Sequence, residues 1–217
     1  MKKLILPLLL ILAIGMLAAV ESAPSEVVGY VKYACAASGY SMVATPMVQA
    51  GLTMASDLGT MINATAVSYW DNTSQSFTGA VYLDFLGIWD GDFALTNGMP
   101  LMVNGDAVTV FYSLGDLPAT HPSYSVVPGY SMVMVPLNRS DLNLASLVGD
   151  DAGATAVSYW DATTQSFTGA VYLDFLGIWD GDFTTAIGDP LMLNADVTGT
   201  FPSVTARNSL NTNSRSK

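Results

Sequence analysis

The chain contains itself twice. Residues 64–104 read ATAVSYWDNTSQSFTGAVYLDFLGIWDGDFALTNGMPLMVN, and the same stretch returns 90 positions later as residues 154–194 with 33 identities in 41. At the same offset Gly39-Tyr40-Ser41-Met42-Val43 recurs as Gly129-Tyr130-Ser131-Met132-Val133, and Pro46 as Pro136. Between residues 39 and 63 only 10 of 25 positions match. The changes there keep an apolar pattern, with Ala44/Met134, Thr45/Val135, Met47/Leu137 and Leu58/Val148, as expected of a surface that faces a core. A duplicated unit of this length must fold as two like modules, and packing between them would extend two small cores.

Within one copy the pattern is β. Val27–Ala34 and Tyr40–Thr45 carry β-branched and aromatic residues between Gly, Ser and Pro breaks. Leu52, Ala55, Leu58 and Met61 or Ile62 recur at helical spacing, as do Leu142, Ala145 and Val148. Thr65–Trp70 and Gln75–Thr78 flank the turn-forming Asp71-Asn72-Thr73-Ser74 and predict a hairpin. Val81–Trp89 is a dense apolar run, and the Asp90-Gly91 that follows predicts a two-residue turn into a strand beginning at Asp92-Phe93. With Leu101–Val103 and Val108–Tyr112 this makes about seven short strands in roughly 85 residues. The expectation is an all-β protein of two tandem β-sandwich-like modules, each with one short helical turn. Two Trp-Asp dipeptides per copy do not make a WD40 propeller, because the 90-residue period is about twice a blade.

The flanks complete the division of the chain. Met1-Lys2-Lys3 followed by the uncharged apolar run Leu4–Val20 and then Glu21-Ser22-Ala23-Pro24 has the form of a bacterial secretory signal, with cleavage expected after Ser22. A retained anchor is the competing reading, since 17 apolar residues sit at the short limit of a spanning helix, but no basic stop-transfer cluster follows. The expected organisation is a signal peptide over 1–22, one module over 23–114, a Pro-containing connector over 115–128, a second module over 129–205 and a disordered polar tail over 206–217. The chain is then secreted or extracellular, or alternatively periplasmic, with no membrane partner after cleavage.

The order Gly-Tyr-Ser-Met-Val-x-x-Pro, a Leu/Ala-rich turn, Ser-Tyr-Trp-Asp, Ser-Gln-Ser-Phe or Thr-Gln-Ser-Phe, and Phe-x-x-x-x-Gly-x-Pro-Leu-Met resembles a repeat module of secreted bacterial surface proteins. The resemblance spans most of residues 27–113 and 123–203. It implies a compartment and an architecture, and carries over no catalytic residue and no ligand.

Composition narrows the function. Seven Lys and Arg against 18 Asp and Glu give a net charge of −11, and loss of residues 1–22 leaves −12. A basic face for phosphate is missing, so nucleic acid is not an expected partner. One Cys and one His exclude an intramolecular disulfide, a thiolate zinc cage and a multi-histidine centre. Cys35 reads as a buried, inert thiol on a strand. His121 falls in the connector without a repeat counterpart, so a His-dependent triad has no support and the chain is not expected to be an enzyme.

Six aromatic residues are candidate ligand contacts: Trp70, Trp89 and Tyr82 in the first copy, Trp160, Trp179 and Tyr172 in the second. Indole and phenol rings beside Asp suit a sugar surface, while the same rings can equally fill a core or the seam between modules. Asp84, Asp90 and Asp92, with Asp174, Asp180 and Asp182, could gather hard oxygen ligands for calcium, yet their spacing matches no EF-hand, and neither a metal nor a cofactor is expected. The leading expectation is a non-catalytic interaction or structural protein whose partner is an envelope protein, a glycan or another copy of the chain. A pair of carbohydrate-binding modules is the alternative.

Overall fold

The computed structural model describes residues 28–203. Residues 1–27 and 204–217, which hold the expected signal segment, the start of the first expected strand at Val27 and the expected polar tail, lie outside them.

The chain is mostly β, in two β-sandwich-like modules with one short helix each. The first contains β1 (Val28–Tyr33), β2 (Gly39–Ala44), α1 (Ala55–Ile62), β3 (Ala66–Asp71), β4 (Ser76–Leu83), β5 (Ile88–Asp90), β6 (Pro100–Gly105) and β7 (Phe111–Asp116). Strands β2-β6-β3-β4-β5 form a five-stranded antiparallel sheet, and β1 pairs with β7 as a separate ribbon. The second module repeats the plan with β8 (Tyr124–Val126), β9 (Gly129–Met134), α2 (Ala145–Ala152), β10 (Ala156–Asp161), β11 (Ser166–Leu173), β12 (Ile178–Asp180), β13 (Pro190–Ala195) and β14 (Gly199–Phe201). Its sheet order is β12-β11-β10-β13-β9, and β8 pairs with β14. Residues 115–128, read as a connector, therefore include the end of β7 and all of β8.

Each core forms where sheet, helix and ribbon meet. In the first module Val43, Val67, Ala80, Leu101 and Val103 from the sheet close on Leu58 and Ile62 of α1 and Phe111 of β7. Full burial of a side chain such as Leu58 contributes about 2 kcal/mol. Helix α1 keeps the apolar spacing read in the sequence, burying Ala55, Leu58 and Ile62. Its start is closed by a carboxylate from far along the chain: Asp92 accepts hydrogen bonds from the Ser56 amide at 3.0 Å and the Ser56 hydroxyl at 2.6 Å. Asp182 does the same for Ser146 at 2.9 and 2.7 Å. Negative charge at a helix N-terminus satisfies free amides and opposes the dipole.

One hairpin differs from expectation. The turn lies at Asp84–Gly87, within the apolar run, and Asp90 ends β5 instead of opening a turn with Gly91. The amides of Leu86 and Gly87 bond the Leu83 carbonyl, both at 2.9 Å, and Gly87 takes φ +66°. This register sets Tyr82 opposite Trp89, and the same occurs for Tyr172 and Trp179. Cross-strand packing of the two rings favours it over the Asp-Gly turn.

Candidate functional site

The six aromatic candidates divide into two sets. Trp70 and Trp160 lie in the seam between the modules. The indole Nε1–H of Trp70 donates to the Tyr130 carbonyl at 2.9 Å, and that of Trp160 donates to the Tyr40 carbonyl at 2.9 Å. Gln75 reinforces the first contact: its Oε1 accepts from the Tyr130 amide at 2.7 Å and its Nε2 donates to the Tyr130 carbonyl at 2.9 Å. Gln165 engages Tyr40 with the same two distances. Tyr40 and Tyr130 sit on β2 and β9, the outermost strands of their sheets. Each glutamine amide thus stands in for a missing strand neighbour and covers an otherwise open edge.

Backbone conformation is specialised for this contact. Gln75 and Gln165 adopt φ +52° and +54°, a left-handed conformation costly for a side-chain-bearing residue. Gln165 faces Gly39 and Gln75 faces Gly129, where a Cβ would stand 2.5 Å from the glutamine Oε1. A second reciprocal pair ties the ribbons across the seam: the Tyr33 hydroxyl donates to the Gly188 carbonyl at 2.8 Å, and the Tyr124 hydroxyl to the Gly98 carbonyl at 2.6 Å. Burial raises the pKa of both phenols, the nearby Asp189 charge adding to the effect at Tyr33.

Trp89 and Trp179 lie at the outer ends of the sheets, half-buried beside Tyr82 and Tyr172, with ring centroids 5.5 and 5.6 Å apart. Each indole packs against a helix glycine: a Cβ on Gly59 or Gly149 would lie 2.2 Å from the ring. Beside Trp89 an open cleft of about 340 Å³ is lined by Asn63, Tyr82, Asp84 and Asp106. In the second module Asp150 accepts the Trp179 indole N–H at 3.0 Å. Position 60, its counterpart, is Thr.

Past these rings the β4–β5 and β11–β12 turns carry bare apolar tips. Phe85 is 81% and Phe175 82% exposed, with Leu86, Ile88, Leu176 and Ile178 exposed around them. The six Asp residues considered for calcium do not converge: among the described residues no three His, Cys, Asp or Glu side chains are placed to share a metal ion. Asp92 and Asp182 serve the helix starts instead. Cys35 follows β1, half-buried, with its thiol pushed up by burial, and His121 is exposed. No described helix is long and apolar enough to cross a membrane.

The seam also forms two related clefts. One, of about 470 Å³, is lined by Tyr33, Tyr159, Trp160, Phe183 and Asp189. Its counterpart, of about 260 Å³, is lined by Tyr124, Tyr69, Trp70 and Met99. Burial raises the pKa of the half-buried Asp189 carboxyl, and one oxygen accepts the Ala186 amide at 2.7 Å.

The glutamines, the exposed tips and Asp189 were missed as site residues. Gln75 and Gln165 are identical in the two copies and sit beside the named tryptophans, a usable signal. Tyr33 and Tyr124 correspond at an offset of 91, which an ungapped comparison at 90 cannot align.

No protein-family model, no curated protein and no solved structure matches the chain.

Proposed function

We propose that this is a non-catalytic, secreted interaction protein whose two modules offer the same contact surface twice to a partner on the cell envelope. The observation that supports it is the pair of identical apolar tips around Phe85 and Phe175, which have no role in either core. Large exposed aromatics at a turn cost solubility and contribute nothing to folding, so a binding role accounts for them. Presenting a weak site twice on one chain strengthens binding to a multivalent target by orders of magnitude. The extracellular setting rests on the leader pattern read in the sequence.

The test is retention of the purified chain on isolated envelopes with Phe85→Ser, Phe175→Ser and the double variant. Each single change is expected to weaken retention about tenfold or more, and the double change to abolish it, with the circular dichroism spectrum unchanged. Undiminished retention of the double variant sinks the reading.

A second reading, glycan binding, is favoured by the cleft where Trp89 and Tyr82 stand beside Asp84 and Asp106. Ring faces pack on sugar C–H groups while carboxylates accept hydrogen bonds from sugar hydroxyls. A glycan panel, with and without calcium, tests it against Trp89→Ala.

A further inference from the structure

The larger seam cleft differs from its counterpart through substitutions concentrated there. Only eight positions distinguish residues 64–104 from 154–194, and three of them are 72/162, 94/184 and 99/189. In the smaller cleft Asn72 bonds the Ser125 carbonyl at 3.0 Å, and Met99 lines the wall. In the larger one Ala162 stands where Asn72 would be, Thr184 replaces an alanine, and Asp189 takes the place of Met99. One cleft is therefore wider and carries a carboxylate.

That carboxylate is poorly compensated. It is half-buried, its single side-chain hydrogen bond comes from the Ala186 amide, and among the described residues it makes no ion pair. Lys32 also lines the cleft, but its Nζ lies 5.9 Å from the Tyr112 ring centroid and does not pair with Asp189. Around the carboxylate stand π-rich walls: Tyr159 and Phe183, with ring centroids 4.9 Å apart, together with Trp160 and Tyr33. A carboxylate among aromatic faces recognises an organic cation, because the ring quadrupoles attract positive charge and the carboxylate accepts hydrogen bonds from its N–H groups. A neutral polyol would satisfy the carboxylate's hydrogen bonding without neutralising its charge.

We propose that the seam cleft around Asp189, Tyr159, Trp160 and Phe183 is a binding site for a primary ammonium group, such as the end of an alkylamine or a lysine side chain. The first-copy cleft, with Met99, lacks this capacity. Net negative charge on the chain raises the local concentration of such a ligand.

The test is titration of the purified chain with n-butylammonium chloride and, separately, methyl α-glucoside. Both are run in a constant background of potassium chloride, following the Trp160 indole and the Tyr159 and Phe183 ring signals by NMR. Butylammonium is expected to give saturable shifts confined to this cleft, weakened about tenfold or more by Asp189→Asn and by Asp189→Met. Because methionine is what the first copy holds at this position, the second variant keeps the measurement meaningful if the amide disturbs the loop. Asp174→Asn, an exposed change outside the cleft, should leave the titration unchanged. The proposal is overturned if the two Asp189 variants bind butylammonium as the unaltered chain does, if the folded chain shows no saturable shift, or if the glucoside alone saturates the cleft.

Discussion

The two modules share a fold but differ in where they have been free to change. Over residues 64–104 and 154–194 they are nearly identical, whereas Arg139 and Asp151 in the second module replace Gln49 and Met61 in the first. Arg139 bonds Asp151 at 3.0 Å and Asp141 at 2.8 Å, and Asp151 in turn accepts from the Ser203 amide at 2.8 Å. In the first module the same positions meet only as a Gln49 amide 3.7 Å from the Met61 sulfur. The seam explains part of this contrast. Trp70 and Gln75 must fit Tyr130 while Trp160 and Gln165 must fit Tyr40, so a change in one copy has to suit a surface supplied by the other. The ion pair ties down the module's own end and carries no such constraint. Among the described residues, identity at Phe85 and Phe175 has no role in either core to explain it, which is why those tips carry the functional reading.

The largest effect should come from breaking what only the second module has. The Arg139 and Asp151 side chains are both buried, and removing Arg139 strands the Asp151 carboxylate, whereas removing Asp151 leaves Arg139 paired with Asp141. Arg139→Ala is expected to destabilise the chain by about 3 kcal/mol, read as a shift in urea midpoint. Installing the first module's pair, Arg139→Gln with Asp151→Met, should restore most of it. A double variant no more stable than Arg139→Ala would show that the pair does more than compensate itself.

The seam sharpens the comparison in the other direction, since its contacts are reciprocal. Trp70→Ala and Trp160→Ala should each cost about 2 kcal/mol, from lost ring burial and one hydrogen bond, and by similar amounts. Gln75→Ala and Gln165→Ala should each cost about 1 kcal/mol. Chemical denaturation of the four variants measures this. A large loss for one tryptophan and none for the other would mean that the two halves of the seam are not equivalent.

These residues also show what could be read without coordinates. The duplication followed from comparing the chain with itself, and the β modules and a helix within the Leu52–Ile62 pattern, Ala55–Ile62 in the structure, followed from apolar spacing, which is dictated by the face a segment buries. The hairpin turn was misplaced: Asp90-Gly91 satisfies local turn chemistry, but the Tyr82–Trp89 pair, a contact across strands, outweighs it. For the tryptophans, Trp-Asp repeats look alike in sequence, yet Trp70 reaches another module and Trp89 its own helix. That distinction depends on how the modules dock, which local pattern does not encode. Asp189 was invisible for a related reason, since a single Asp in place of Met99 acquires meaning only once a cleft surrounds it.

The smallest expected effect concerns that same residue and follows from its titration. Burial raises the Asp189 pKa in the folded chain, so the carboxylate is less favourable folded than unfolded. The associated stability is fully present below the ordinary aspartate pKa and is lost as pH rises through the raised folded value. The Tyr33 phenol, which also lines the cleft, is itself pushed up by burial and stays neutral across that window. Asp189→Met should therefore raise the melting temperature at pH 7 by about 1 °C, a gain that disappears near pH 3. Met99→Asp, the reciprocal change, should lower it at pH 7 by more, because the smaller cleft leaves less room for water around the new charge. Thermal melts of both variants at the two pH values decide it. A gain for Asp189→Met that persists unchanged at pH 3 would assign the effect to methionine packing instead of to a carboxylate held at a cost to stability for the sake of a ligand.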